Sequence, residues 1–213
     1  PSRAHHGLPE DAFVYCAFGN WLKIDEHVFE DWMTILNAVP NGVLWLTAGP
    51  LPTSLTTLQH FAEERGVDGS RLIVAPRTDD KLSHIDRHRC ADLYIDTSTF
   101  SAATSATDAL SAGLPVLTKR GTTAQSRLAE SLIRATGVPQ LIVEDRQAYI
   151  ETAIALDKNP NQLKAHQQAL KDALPRAALF DAHRMVRQFE MIYDQVIMRH
   201  RAGLKPEHFD VTL

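Results

Sequence analysis

The sequence is short of cysteine, of long apolar runs and of surplus charge, and each shortage removes a class of protein. Its two cysteines, Cys16 and Cys90, stand apart in apolar surroundings without CxxC spacing, so neither a disulfide framework nor a cysteine-built metal cage is expected. Free thiols of this kind fit a reducing compartment. No stretch of about 18 apolar residues is present, which argues against a membrane-spanning helix. A net charge of −4, from 22 basic and 26 acidic residues, gives no electrostatic reason to expect nucleic acid. The opening residues, PSRAHHGLPED, lack the basic and then apolar order of a secretory signal. They lead abruptly into a strand, as a piece of a longer chain would. Nothing repeats at a fixed period. A cytoplasmic globular protein with no metal, no membrane and no nucleic acid is the expectation, and 44% apolar residues over 213 positions are enough to build a full core.

What is there alternates between strand and helix. Ala12 to Phe18 is a β-rich apolar run, long enough for a strand covered on both faces. Asp25 can cap a helix whose apolar positions Phe29, Trp32, Met33, Leu36 and Val39 recur at helical spacing until Pro40-Asn41-Gly42. The same alternation continues with a strand at Val43 to Leu46, a helix at Thr53 to Arg65 stopped by Gly66, and a strand at Arg71 to Ala75. A charged helix is read over residues 77 to 89. Next come a strand at Ala91 to Ile95, a helix at Ala103 to Ser111 and a strand opening at Pro115. The helix Ala124 to Thr136, the strand Gln140 to Val143 and helices at Arg146 to Leu156, Asn161 to Leu174 and Asp181 to Arg201 complete the chain before a loose tail, Leu204 to Leu213. Six strands, each followed by a helical segment, describe an α/β fold: a doubly wound, Rossmann-like parallel sheet with right-handed crossovers.

In such sheets ligands meet the carboxyl ends of the strands. Asn20 and Lys23 lie in the loop after the first strand, so they are placed where a ligand could reach them. Lys81, His84, Arg87 and His88 recur at spacings of three and four, hence on one helix face. That face fits a solvated stripe, and it also fits His84 packing on a base while Lys81 or Arg87 approaches ribose or phosphate. The helix from Ala103 begins among Ser101, Thr104 and Ser105, small hydroxyl residues suited to a helix start, where free amides and the helix dipole favour phosphate. Asp108 follows one turn on, where a carboxylate suits two sugar hydroxyls. The loop Lys119 to Thr123 offers either a second terminus of this kind or a plain cap.

Taken together, GLPEDAFVYCAF with a following Lys-Ile-Asp, then VPNGVLWL, RLIVAP, ADLYIDT, DALSAGLPVLT and SRLAES resemble the C-terminal catalytic lobe of O-linked N-acetylglucosamine transferase and its bacterial and plant SPINDLY-type relatives. The likeness runs from about Gly7 to about Tyr193. It implies a lobe of a two-lobed GT-B glycosyltransferase, inverting and metal-independent, without a cofactor, using a uridine diphosphate sugar as donor and a protein serine or threonine as acceptor. It implies that Lys23 reaches the diphosphate as the catalytic cation, with Asn20 beside it where the animal enzymes have Gln. Lys81, His84 and Arg87 would hold the uridine, Thr104 and Ser105 the diphosphate, and Asp108 the ribose. On this basis residues 7–175 form the nucleotide-sugar lobe, 176–203 a helix packing on it or toward the N-terminal lobe, and 204–213 the tail.

One departure from the family pattern bears on the donor. The family's His-Thr-Thr at the central helix start is Ala103-Thr104-Ser105 here, so an imidazole donor is absent. The other catalytic lobe and the tetratricopeptide repeats, which supply acceptor binding, would be needed for turnover. Alternatives of other classes are a nucleotide-sugar epimerase of GT-B architecture, a SPINDLY-like fucosyltransferase using guanosine diphosphate fucose, and a non-catalytic nucleotide-binding module.

Overall fold

The structure, a computed structural model, describes residues 1–211. In chain order its elements are β1 (Phe13–Ala17), α1 (Glu26–Ala38), β2 (Gly42–Thr47), α2 (Ser54–Glu63), β3 (Leu72–Ala75), α3 (Lys81–Asp86) and β4 (Leu93–Ile95). They continue with α4 (Thr104–Ser111), β5 (Val116–Lys119), α5 (Leu128–Thr136), β6 (Ile142–Val143), α6 (Arg146–Lys158), α7 (Pro160–Ala173) and α8 (Ala182–Arg201). The six strands lie in the order β3-β2-β1-β4-β5-β6, and every neighbouring pair is parallel. This is the doubly wound α/β sheet expected from the alternation of patterns. Its direction of growth reverses between β1 and β4, which opens a crevice at their carboxyl ends.

Both faces of the sheet are covered, which is why its strands carry apolar side chains on both sides. Tyr15, Leu44, Leu46, Leu93 and Ile95 pack beneath Trp32, Met33 and Leu36 of α1 and Ile150 and Ala153 of α6. Val14, Cys16, Trp45, Tyr94 and Val116 pack on the other face beneath Ala106, Ala109 and Leu110 of α4 and Ala129 and Ile133 of α5. Two hydrogen bonds carry the first layer to the crevice: Trp32 Nε1 donates to Tyr149 Oη (3.3 Å), and Tyr149 Oη donates to the Asp96 carbonyl at the end of β4 (2.8 Å).

Helix starts follow the sequence closely. Asp25, Asp80, Asp145, Asn159 and Asp181 each accept a first-turn amide of α1, α3, α6, α7 and α8. Gly137, at φ 82°, adopts the left-handed conformation that closes α5. Several elements are shorter than the pattern suggested. The charged segment is α-helical only over Lys81–Asp86, because Asp80 caps it and residues 87 to 90 tighten into a 3-10 turn. β4 starts at Leu93 rather than Ala91, since the Asp92 carboxylate is drawn sideways to Arg3 Nη2 and the Val14 amide, both at 2.7 Å. The sixth strand shrinks to two residues because Pro139 opens a 3-10 turn before it.

α8 stands out for its apolar exposure: none of its residues is buried, and Met185, Val186, Phe189, Tyr193, Val196 and Ile197 are exposed. The expected tail has no helix or strand from residue 204 to 211, though Arg199 binds the Lys205 carbonyl and Glu207. Residues 212 and 213 lie outside the described residues. Among the described residues no helix is long and apolar enough to cross a membrane.

Arg71 ties the α1–β2 turn to the start of β3, donating from Nε to the Gly42 carbonyl (2.8 Å) and from Nη2 to those of Leu36 (2.9 Å) and Val39 (2.7 Å). Arg71→Ala should lower unfolding stability by about 3 kcal/mol through the loss of three charged hydrogen bonds, although the Leu36 and Val39 carbonyls keep the Val39 and Gly42 amides as donors. Chemical denaturation measures it, and an unchanged midpoint would contradict it.

Candidate functional site

Three segments converge on the crevice: the loop after β1, the helix after β3 and the start of α4. The β1 loop is short and pinned. Asn20 caps a single 3-10 turn by accepting from the Leu22 amide (3.0 Å), and Trp21 Nε1 donates to the Thr47 carbonyl at the end of β2 (2.8 Å). This delivers Lys23 across the crevice, where its Nζ donates to the Ser101 carbonyl (3.0 Å) and lies 4.2 Å from the Phe100 ring centroid. Burial pushes the Lys23 pKa down, and the Asp96 carboxylate opposes that shift.

α4 begins without a cap. Ala103 occupies the N-cap position with φ −111° and ψ −88°, and none of the described side chains accepts from the first turn. The sequence pattern suggested that the nearby hydroxyls serve that turn; the structure engages Ser101 and Ser105 elsewhere and leaves Thr104 free of a side-chain bond among the described residues. Ser101 Oγ donates to the Gln125 carbonyl (3.0 Å) and accepts from the Ala129 amide (3.1 Å), so it caps α5 instead. Ser105 Oγ accepts from Tyr94 Oη (3.0 Å), which leaves its own proton available to donate. Thr104 is exposed at the rim. The start of α4 therefore presents amides and two hydroxyls, a donor-rich surface at the positive end of a helix dipole. The other glycine and threonine loop is closed on itself: Thr123 and Ser126 hydrogen-bond each other, and a Cβ on Gly121 would collide with Ser126 Oγ. That favours the plain cap for this second terminus.

One turn into α4, Asp108 is almost fully buried and gathers the α3 face. Lys81 Nζ lies 2.5 Å and His84 Nε2 3.6 Å from its Oδ2. Arg87 Nη2 meets His84 Nδ1 at 2.7 Å, Nη1 donates to the Pro76 carbonyl (2.6 Å), and the guanidinium lies 4.5 Å from the Phe18 ring centroid. A guanidinium can only donate, so His84 Nδ1 accepts and the ring proton resides on Nε2, toward Asp108. Burial lowers the His84 pKa, and Arg87 lowers it further. A neutral imidazole is the form this cluster holds. Lys81, His84, Arg87 and Asp108 thus meet in one cluster, while Lys23, Asn20, Thr104 and Ser105 surround the adjoining mouth of the crevice.

Three residues of the crevice were not singled out in the sequence. Phe18 is the platform beneath Arg87, with His84 and His88 rings at 5.9 and 4.9 Å. Tyr94 orients Ser105. Asp96, fully buried at the end of β4, accepts from the Thr97 and Ala102 amides and from Thr118 Oγ1. Its signal was present in the sequence as an acidic residue directly ending an apolar strand. A groove of about 720 Å³ lies elsewhere, at the amino ends of β4 and β5 between Arg89, Ser111, Lys164 and Lys171.

The profile of glycosyl transferase family 41 matches residues 1–189. The chain is 34% identical over 212 residues to the probable UDP-N-acetylglucosamine–peptide N-acetylglucosaminyltransferase SEC of Arabidopsis thaliana, covering 99% of this chain and 22% of that protein. It is 31% identical to the UDP-N-acetylglucosamine–peptide N-acetylglucosaminyltransferase of Caenorhabditis elegans, covering 97% of this chain and 18% of the other. The chain thus spans about a fifth of these relatives. Among solved structures it is similar to an O-GlcNAc transferase variant of Thermobaculum terrenum, with a TM-score of 0.80 and 26% identity over 88% of this chain and 38% of that one.

His88, fully buried behind the cluster, donates from Nδ1 to the His84 carbonyl (2.9 Å), and burial pushes its pKa down to about 4 from 6.5. Between those values the unfolded chain binds more protons, so this group makes stability fall as pH drops through the window. Asp96 acts oppositely, its pKa raised by burial to about 6 from 3.8. His88→Gln removes the first contribution and keeps the second. Its stability should decline less than the parent's between pH 6.5 and pH 4, measured by denaturation at each pH; parallel curves would contradict the assignment.

Proposed function

The chain belongs to glycosyl transferase family 41, and from that premise we propose that it is the donor-binding C-terminal lobe of an inverting, metal-independent protein O-glycosyltransferase, which transfers N-acetylglucosamine from UDP-N-acetylglucosamine to serine or threonine. The observation that carries this reading is the uncapped start of α4, facing Lys23 on one side and the Asp108 cluster on the other. Nucleoside diphosphates combine a dianionic centre with a diol, and this crevice offers amides and an ammonium beside a buried carboxylate.

In the proposed mechanism the acceptor hydroxyl attacks the anomeric carbon as uridine diphosphate leaves, and negative charge grows on the bridging and β-phosphate oxygens. Fixed donors receive that charge: the Lys23 ammonium, the first-turn amides of α4, and the Thr104 and Ser105 hydroxyls. Each such donor is worth roughly 3 kcal/mol to the transition state by analogy with oxyanion holes. Asn20 holds the turn that presents Lys23. Asp108 accepts from the ribose hydroxyls in exchange for Lys81, and the released Lys81 joins His84 and Arg87 along the uridine. Ala103 supplies no imidazole donor, so more of the diphosphate's charge rests on Lys23 than in relatives that have histidine there.

Residues 7–175 form the lobe in this reading. The apolar face of α8 packs against the N-terminal lobe, which supplies acceptor binding together with the tetratricopeptide repeats; a face of six large exposed apolar side chains is otherwise costly to leave in water. No residue of this chain is assigned as general base.

Calorimetric titration tests the donor reading on this chain. Uridine diphosphate should bind, and more tightly than guanosine diphosphate; Lys23→Ala should weaken it by about tenfold or more, the loss of a charged hydrogen bond. Preference for guanosine diphosphate would shift the reading to a fucosyl donor, and equal affinity of Lys23→Ala and parent would contradict the role of Lys23.

A further inference from the structure

Lys23 is half-buried, lies over an aromatic ring and binds one carbonyl, an environment that by itself favours the neutral amine. A neutral amine would be of little use to a diphosphate. The balancing charge lies beneath the loop. Asp96 Oδ1 accepts from the Thr97 amide (2.8 Å) and the Ala102 amide (2.6 Å), Oδ2 accepts from Thr118 Oγ1 (2.7 Å), and its main-chain carbonyl accepts from Tyr149 Oη (2.8 Å). Residues 97 to 102 are thereby wrapped around the carboxylate. Ser101, whose carbonyl receives the Lys23 ammonium, and Ala103, the N-cap of α4, flank the residue that Asp96 grips.

We propose that Asp96 is the positioning residue of the donor site: its buried carboxylate fixes the 97–102 turn that aims Lys23 and the first turn of α4 at one point, and keeps the Lys23 ammonium charged. The inference rests on the reading of Lys23 as the diphosphate cation. It extends that reading to a residue that touches no substrate.

The surroundings suit such a role. Facing Asp96 are Lys23 from the β1 loop, Tyr94 on its own strand, Thr118 and Lys119 from β5, Tyr149 from α6 and Asp31 from α1, the last already bound to Arg146. Burial raises the carboxyl, whereas its three hydrogen bonds and Lys23 hold it down. Asparagine would keep the shape, since its carbonyl can accept from both amides and its NH₂ can donate to Thr118 Oγ1. Only the charge would go.

The test titrates Lys23 Nζ by NMR of isotope-labelled lysine side chains in the parent and Asp96→Asn, with uridine diphosphate calorimetry across the same pH range. In Asp96→Asn the Lys23 midpoint should fall, and the loss of affinity on the alkaline side should begin at lower pH. An unchanged Lys23 midpoint in a folded Asp96→Asn overturns the proposal. Thr118→Val supplies a second route: it removes one donor to Asp96, so the inflection that Lys23 senses when Asp96 protonates should move up in pH, and an unmoved inflection overturns the proposal equally. The Lys23 titration needs no ligand. If uridine diphosphate fails to bind the parent while Asp96→Asn still lowers the midpoint, the donor reading falls and the coupling of the two residues stands.

Discussion

A helix that starts without a cap, at the place where a parallel sheet changes its direction of growth, is the constraint on which the rest of this site depends. Six other helices have a side chain accepting at their first turn, Ser101 serving α5, and α2 shares the missing cap but lies away from the crevice between β1 and β4. At α4 Ser101 is spent on α5, Ser105 accepts from Tyr94 and keeps its proton, and Thr104 stays exposed. The resulting surplus of donors cannot be relieved by moving the helix, because Ala106, Ala109 and Leu110 are locked in the layer that covers β4 and β5. The sheet order fixes where those donors point, and Lys23 meets them from the far side of the same opening.

The remaining charges balance one another in a way that keeps the crevice folded and ready. Asp108 is buried against Lys81 and His84, and His84 is oriented by Arg87, which in turn rests on Phe18. Leaving a carboxylate so buried without such partners would cost several kcal/mol. On the proposed reading, binding exchanges these internal partners for ribose and uridine, so the nucleotide replaces contacts of the same chemical kind. On the same proposed reading Asp96 acts on Lys23 through charge and through the 97–102 turn rather than by direct contact.

The alternation of strand and helix was legible because parallel strands buried on both faces leave unbroken apolar runs, such as FVYCA and GVLWL, and because aspartates and asparagine mark five helix starts. Asp25 is legible as a cap in this way, whereas Asp80 is not: the charged pattern runs from residue 77, and the helix starts at Lys81. The positions of Lys23, Lys81, His84, Arg87 and Asp108 were legible from spacing and from placement after strands. What pattern could not show was the direction in which hydroxyls are spent. Ser101 precedes α4 in sequence yet caps α5, since the fold brings residues 101 and 129 together and no local rule records it. Asp96 escaped for a related reason: its partners Thr118 and Tyr149 come from β5 and α6. The break of the charged helix after Asp86 was also hidden, because continued helical spacing of Arg87 and His88 masks a change to 3-10 geometry.

The central claim is that the first turn of α4 is the anion seat of the molecule. Amide chemical-shift mapping during addition of uridine diphosphate addresses it directly. The account predicts that the largest changes fall on the amides of Thr104, Ser105 and Ala106, with smaller ones through the 97–102 turn. Saturable changes confined to the groove between Arg89 and Lys171, with the start of α4 unmoved, would contradict it.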